Sequence, residues 1–154
     1  MPQLATREAS LQDEPDLLRM MRLLAEQEPG KIQFDEPTAR ETFRRFLSLL
    51  TLRKTWLLYQ RNRPVGYIVL TLGFSFEFHG RDAFIDELYI DAAFRRRGYG
   101  RQAVTFVETK ARKMGVNAIH LEVDWGNDPA LELYRRTGYQ DHDRFLMTKW
   151  LNRE

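Results

Sequence analysis

The sequence predicts one three-layer α+β domain, built on a mixed, mostly antiparallel sheet with one parallel strand pair near its C-terminal end and about four flanking helices. Three observations predict it. Strand-forming runs dominate residues 55–90, apolar residues recur at helical spacing on either side of them, and a strand, loop, helix, strand succession occupies residues 83–123. A chain of 154 residues is one domain's length, 1–154, and buries roughly 68–70% of the surface its unfolded form exposes. No internal repeat, low-complexity tract or linker divides it.

The elements follow in chain order. Leu17, Leu18, Met21, Leu24 and Ala25 share a helical face over residues 14–27, and Pro29-Gly30 supplies the stop. A second helix over residues 37–50 carries Phe43, Phe46, Leu47 and Leu50 on one stripe, with Pro37 suited to a first turn. A hairpin comes next: residues 55–59 and 65–78 are strand formers joined by Arg61-Asn62-Arg63-Pro64. A turn at His79-Gly80-Arg81-Asp82 leads into a strand over residues 83–90. The period then changes. Ala103, Val104, Val107, Ala111 and Met114 place a helix over residues 98–114, Gly115 ends it, and residues 118–123 alternate as a strand. Asn127-Asp128-Pro129 opens a short helix through Arg136, Gly138 caps it, and residues 145–151 form a last strand.

Composition narrows the function classes. The chain has no cysteine, which removes disulfides, thiolate zinc sites and cysteine nucleophiles and points to a reducing cytoplasm. His79, His120 and His142 have no second ligand at helical or turn spacing, so solvated or locally bonded imidazoles are expected and no metal. The first residues lack the apolar core of a signal peptide. No apolar run approaches the roughly 20 residues of a membrane span, so no membrane partner is expected. The net charge is only +2, yet arginines cluster at Arg95-Arg96-Arg97, Arg101 and Arg135-Arg136, which reads either as a solvated face or as a site for an anion. Nucleic acid is the disfavoured anion, because no extended basic stripe with interleaved aromatics appears.

Arg95-Arg96-Arg97-Gly98-Tyr99-Gly100 lies between a strand and a helix, where unpaired backbone N–H groups and the positive end of the helix dipole meet an anion. Gly98 and Gly100 admit close approach of a pyrophosphate. The segment from Gly98 to Ala103 also fits a loose dinucleotide fingerprint, with Glu122 where an acid could hold a ribose. That fold turns sharply from strand to glycine, whereas Asp91-Ala92-Ala93-Phe94-Arg95-Arg96-Arg97 intervenes here, and too little chain follows Val123 for repeated βαβ units.

With this loop, the helix and strand after it, and Asn127-Asp128-Pro129-Ala130-Leu131-Glu132-Leu133-Tyr134-Arg135-Arg136-Thr137-Gly138-Tyr139, the chain resembles the GNAT N-acetyltransferase superfamily. The resemblance spans nearly the whole chain and is most specific from Asp86 to Tyr139. It implies acetyl-CoA as cosubstrate, a primary amine as acceptor and direct transfer between them. It carries the pyrophosphate-binding role to Arg95, Arg96, Arg97, Gly98, Tyr99, Gly100 and Arg101. The backbone of Leu88, Tyr89 and Ile90 would pair with the pantetheine arm, in a slot bounded by Ile90 and Val123 where two strands splay around a bulge. Asn127 would bond the cofactor, and Tyr134 would lie near the thioester sulfur.

An alkyl ammonium with a pKa of about 10.4 cannot attack a carbonyl until a carboxylate, or water held by one, takes its proton. Asp86 and Glu87 are the candidates. Asp86-Glu87-Leu88-Tyr89 also looks like the paired acidic motif of polyamine acetyltransferases, by which match Asp86 is the base and Glu87 an amine-binding charge. A backbone N–H near Tyr89 could stabilise an oxyanion, and the Tyr134 hydroxyl could protonate the leaving thiolate. Phe74, Phe76 and Phe78 share one strand face and either pack in the core or, with Trp125, line an acceptor cleft. Glu26, Glu28 and Asp35 could greet a cation or simply solvate. A small amine or polyamine is thus the leading acceptor, a peptide or protein amine the next. A catalytically silent acyl-CoA-binding module satisfies the loop equally, and a homodimer is compatible with every feature above.

Overall fold

The computed structural model describes residues 3–28, 33–49 and 51–152; the stop expected at Pro29-Gly30 and the stripe position Leu50 lie outside them. The elements are β1 (Ala5–Glu8), α1 (Glu14–Glu26), α2 (Glu36–Ser48), β2 (Arg53–Gln60), β3 (Arg63–Ser75), β4 (Gly80–Ile90), α3 (Tyr99–Lys113), β5 (Ala118–His120) and α4 (Asp128–Arg136). The strands lie side by side in chain order as one five-stranded sheet. Neighbours from β1 to β4 are antiparallel and β4 with β5 is parallel, because a helix crossover returns the chain to the same end before β5 starts.

Local chemistry sets the helix starts. Asp35 accepts from the Thr38 amide at 3.0 Å and Pro37 occupies the first turn of α2, while Asn127 accepts from the Ala130 amide at 3.3 Å ahead of Pro129 in α4. Each side chain satisfies one amide that a helix start leaves unpaired.

Both faces of the sheet are covered. Trp56, Leu58, Ile68, Leu70, Ala83 and Ile85 pack against Ala103, Val107 and Ala111 of α3. On the other face Leu57, Tyr67, Val69 and Tyr89 pack against Leu17 and Met20 of α1 and Phe43 of α2. Burial on both sides makes residues 55–58 and 65–70 continuously buried rather than alternating. A charged tie joins the outer helices: Glu14, 6% exposed, receives Arg40 at 2.7 Å and Arg44 at 2.7 and 3.2 Å. Among the described residues no helix is long and apolar enough to cross a membrane.

Three expectations change. Residues 5–8 form an edge strand that apolar pattern does not announce, since Thr6, Arg7 and Glu8 are polar and the strand exists through its ladder to β2. The β3–β4 turn lies at residues 76–79, before the expected one, with Ser75 opposite Gly80. Phe74 and Phe76 therefore stand in solvent, 71% and 93% exposed, and are not core residues. Residues 145–151 form no strand: β5 pairs for three residues and then leaves the ladder, so no continuing β5 ladder within the chain takes them up.

Candidate active site

The site begins with an irregularity in β4. Val69 pairs with Glu87 and Leu70 with Ile85, which leaves Asp86 as an extra residue in the ladder. Side-chain parity flips there: Ala83 and Ile85 face α3, and after the bulge Leu88 and Ile90 do so, while Tyr89 turns toward α1 and α2. Asp86 is exposed and Glu87 half-buried. The bulge thus separates the two carboxylates into different settings.

Glu87 is held. Its Oε2 accepts a hydrogen bond of 2.7 Å from the hydroxyl of Tyr67, a side chain with no exposed surface. Burial pushes the Tyr67 hydroxyl well above the usual tyrosine range, and the negative charges of Glu87 and Glu28 push it further. The hydroxyl therefore stays a donor. The same interaction places Glu28, at the end of α1, within electrostatic reach of this position.

Beyond the bulge β4 and β5 part. Their pairs are Asp82 with Ala118, Ala83 with Ile119 and Phe84 with His120; β4 continues through Ile90 alongside β3 while residues 121–124 leave the sheet. Along Leu88, Tyr89 and Ile90, the residues expected to meet a pantetheine arm, alternation turns the peptide groups of Leu88 and Ile90 toward the wedge, while those of Tyr89, like the Asp91 N–H that bonds Val65 O, face β3. Tyr89 is itself buried. Its hydroxyl is pushed up to about 12, first by burial and then by its hydrogen bond to Asp91.

At the mouth of the wedge α3 starts without a side-chain cap. Gly98 stands at φ 76°, ψ 5°, a left-handed conformation that glycine adopts without strain. The first intrahelical bond is Gln102 N–H to Gly98 O, so the amides of Tyr99, Gly100 and Arg101 point outward with no carbonyl one turn back. Arg96, Arg97 and Arg101 are exposed around them. The Tyr99 side chain, 1% exposed, packs with Val65 and Phe94 and anchors the loop, which leaves its amide to face outward.

Two loop residues have additional structural work. Arg95 donates to Ile90 O at 2.8 Å and to Gln27 Oε1 at 2.7 Å, tying the end of β4 to the end of α1. A Cβ on Gly100 would lie 3.1 Å from Leu133 Cδ2, so its small size lets α4 close on α3. Tyr134, on α4, is 9% exposed, and its ring meets Tyr139 edge-on at 5.6 Å. Burial pushes its hydroxyl up to about 12. Asn127 is committed through its oxygen to capping α4, and Asp35 likewise caps α2.

Sequence reasoning missed Tyr67 and His120. His120 Nε2 lies 3.3 Å from Asp82 Oδ2, and its ring stacks 4.6 Å from Phe78 and 5.8 Å from Phe84. Both residues depend on strand register, which no spacing within one segment reveals. Trp125 is fully exposed and lines no cleft with Phe78.

The model of the acetyltransferase (GNAT) family matches residues 17–139, from α1 past the end of α4. The chain belongs to the GNAT acetyltransferase family. Its three-layer, mixed-sheet architecture is that of its GNAT neighbours in structure. An integron cassette protein from the mobile metagenome of Cole Harbour Salt Marsh superposes with a TM-score of 0.83 at 29% identity, over 97% of this chain and 91% of that one. Among curated relatives, the uncharacterized N-acetyltransferase YycN of Bacillus subtilis is 33% identical over 45% of this chain and 44% of its own length. The thialysine N-epsilon-acetyltransferase of Bos taurus is 28% identical over 88% of this chain and 83% of its own. The chain spans less than half the length of the first curated relatives it matches.

Proposed function

We propose that this GNAT chain moves an acetyl group from acetyl-CoA to a primary amine by direct transfer, with a small amine or polyamine as acceptor. The observation that carries the reading is the meeting of two features at one end of β4: uncapped amides of Tyr99, Gly100 and Arg101, and a β4–β5 wedge with a carboxylate pair at its bulge. The residues fit the cosubstrate. Backbone N–H groups at a helix start, ringed by three exposed arginines, suit a diphosphate, and the parted strands offer peptide groups to an amide-bearing arm.

Acetyl-CoA, when bound, supplies the activated acetyl thioester. Asp86, exposed at the bulge, takes the proton that an ammonium must lose and passes it to solvent. Glu87, fixed by Tyr67 and accompanied by Glu28, supplies negative charge that draws a cationic acceptor to that face. Tyr134, its hydroxyl pushed up to about 12 by burial, holds its proton through the neutral range, gives it to the departing sulfur and is reprotonated through solvent by the second proton the acylated nitrogen loses. The relative that acts on thialysine, by its name, also favours a small cationic amine. A panel of diamines, polyamines, amino acids and peptides, read by release of free thiol, tests the proposal. Turnover greatest with small diamines or polyamines is expected; acetyl-CoA binding without turnover on any amine would establish a silent module instead.

A further inference from the structure

The end of β4 is fastened to α1 at two places. In the middle of α1, Arg19 lies 3.4 Å from Asp91, which is 6% exposed and also accepts from the Tyr89 hydroxyl. At the end of α1, Gln27 accepts from Arg95 at 2.7 Å, while the same guanidinium donates to Ile90 O at 2.8 Å and lies 5.8 Å from the centre of the Tyr89 ring. The two ties differ in kind. Taking the cation from a buried carboxylate is strongly destabilising, so the first holds throughout. The second stands in solvent, with Gln27 and Arg95 both exposed, where a hydrogen bond adds modestly to stability and responds to what else its partners touch.

What Arg95 touches is the wedge. Ile90 has β3 on one side only, and its carbonyl turns away from β3 toward the gap that β5 leaves. A carbonyl oxygen has two lone pairs. Arg95 takes one, and the other can accept an amide N–H of the arm. At its far side the tie ends on Gln27, and the next residue is Glu28, whose negative charge acts on the Tyr67 hydroxyl beside Glu87. One guanidinium therefore reaches from the edge that a thioester arm would follow to the helix end that carries acceptor-side charge.

We propose that Gln27 is a positioning residue through which Arg95 links the two substrates: an arm seated on Ile90 fixes the guanidinium, Gln27 and the end of α1 in turn, so the amine meets a face already arranged. The inference rests on the acetyl-transfer reading above. Gln27 acts through Arg95 and touches no reacting atom. By reciprocity the amine tightens coenzyme A by the same factor.

Calorimetric titration of 1,4-diaminobutane into the full chain, alone and saturated with coenzyme A, tests the link without turnover. The native chain should bind the diamine about tenfold more tightly when coenzyme A is present, within the usual range for coupled sites. Gln27→Ala should bring that ratio to about one and leave coenzyme A affinity in the diamine-free chain unchanged. Gln27→Glu keeps an acceptor for Arg95 and should keep the ratio, while its added charge tightens the diamine in both states alike. A merely structural role would weaken both ligands together and leave the ratio intact. Diamine binding that ignores coenzyme A in the native chain, or a ratio that survives Gln27→Ala, would overturn the link and leave the acetyl-transfer reading standing. Coenzyme A that binds while the diamine does not, or that fails to bind, would overturn both.

Discussion

The hydroxyl of Tyr67 reaches diagonally across the β3–β4 ladder and donates to Glu87 at 2.7 Å, from a side chain that has no contact with solvent. Glu87 faces that hydroxyl only because Asp86 is inserted into the strand one residue earlier. A backbone irregularity and one buried phenol therefore orient the Glu87 carboxylate, the charge proposed to meet the acceptor.

Removing that phenol tests the arrangement. Tyr67→Phe keeps the ring in its cluster and deletes the bond, so KM for the amine should rise by about tenfold, the equivalent of one hydrogen bond to a charged group. The KM for acetyl-CoA should not move. Steady-state kinetics with each substrate varied separately check this, and a lower kcat with both KM values unchanged would mean that Tyr67 acts only on folding.

Asp86 and Glu87 should separate in kinetics. Asp86→Asn is expected to lower kcat by about 10²-fold or more through loss of the base, whereas Glu87→Gln should act mainly on the amine KM. The reverse assignment of effects would make Glu87 the base.

Tyr134→Phe should reduce kcat by at least about tenfold at saturating substrates while acetyl-CoA affinity stays nearly constant. With its hydroxyl near 12, the unaltered enzyme should show no fall in kcat from Tyr134 deprotonation through pH 10. Unchanged turnover in Tyr134→Phe would refute its role as acid.

The α1–α2 tie predicts a pH dependence of stability. The Arg44 guanidinium, with help from Arg40 and against the effect of burial, holds the Glu14 carboxyl below its ordinary value of 4.5. A depressed folded-state pKa adds stability above 4.5 that is lost as pH falls through the folded value. Thermal midpoints should therefore drop from pH 5 toward pH 3 more steeply in the native chain than in Glu14→Gln. Parallel slopes would show that the tie contributes nothing.

Much of this was legible in the chain. Helix limits followed from starts, stops and periods, because Pro37, Asn127, Pro129, Gly115 and Gly138 act on backbone groups within four residues of themselves. The hairpin of β2 and β3 followed from its turn residues, and the parallel pair from the strand, loop, helix, strand succession. What escaped depends on groups distant in sequence. The Tyr67–Glu87 bond needs the register and the bulge together, the His120–Asp82 contact needs the β4–β5 pairing, and β1 needs β2 to exist before its polar residues read as a strand. The segment at residues 145–151 has strand chemistry, but β5 leaves the ladder after three pairs and the segment forms no strand.

Gly98→Glu places bulk, negative charge and a strained left-handed backbone at the start of α3, so acetyl-CoA affinity should fall at least about tenfold. Calorimetric titration reads it directly, and native affinity would remove the loop from the binding site.

The amides of Tyr99, Gly100 and Arg101 are the centre of the account. Titrating coenzyme A into the ¹⁵N-labelled chain and following each backbone amide by NMR interrogates them one by one. The largest shifts should fall on residues 98–101, with smaller ones on Leu88, Tyr89 and Ile90. Saturable binding that leaves residues 98–101 unmoved would contradict it.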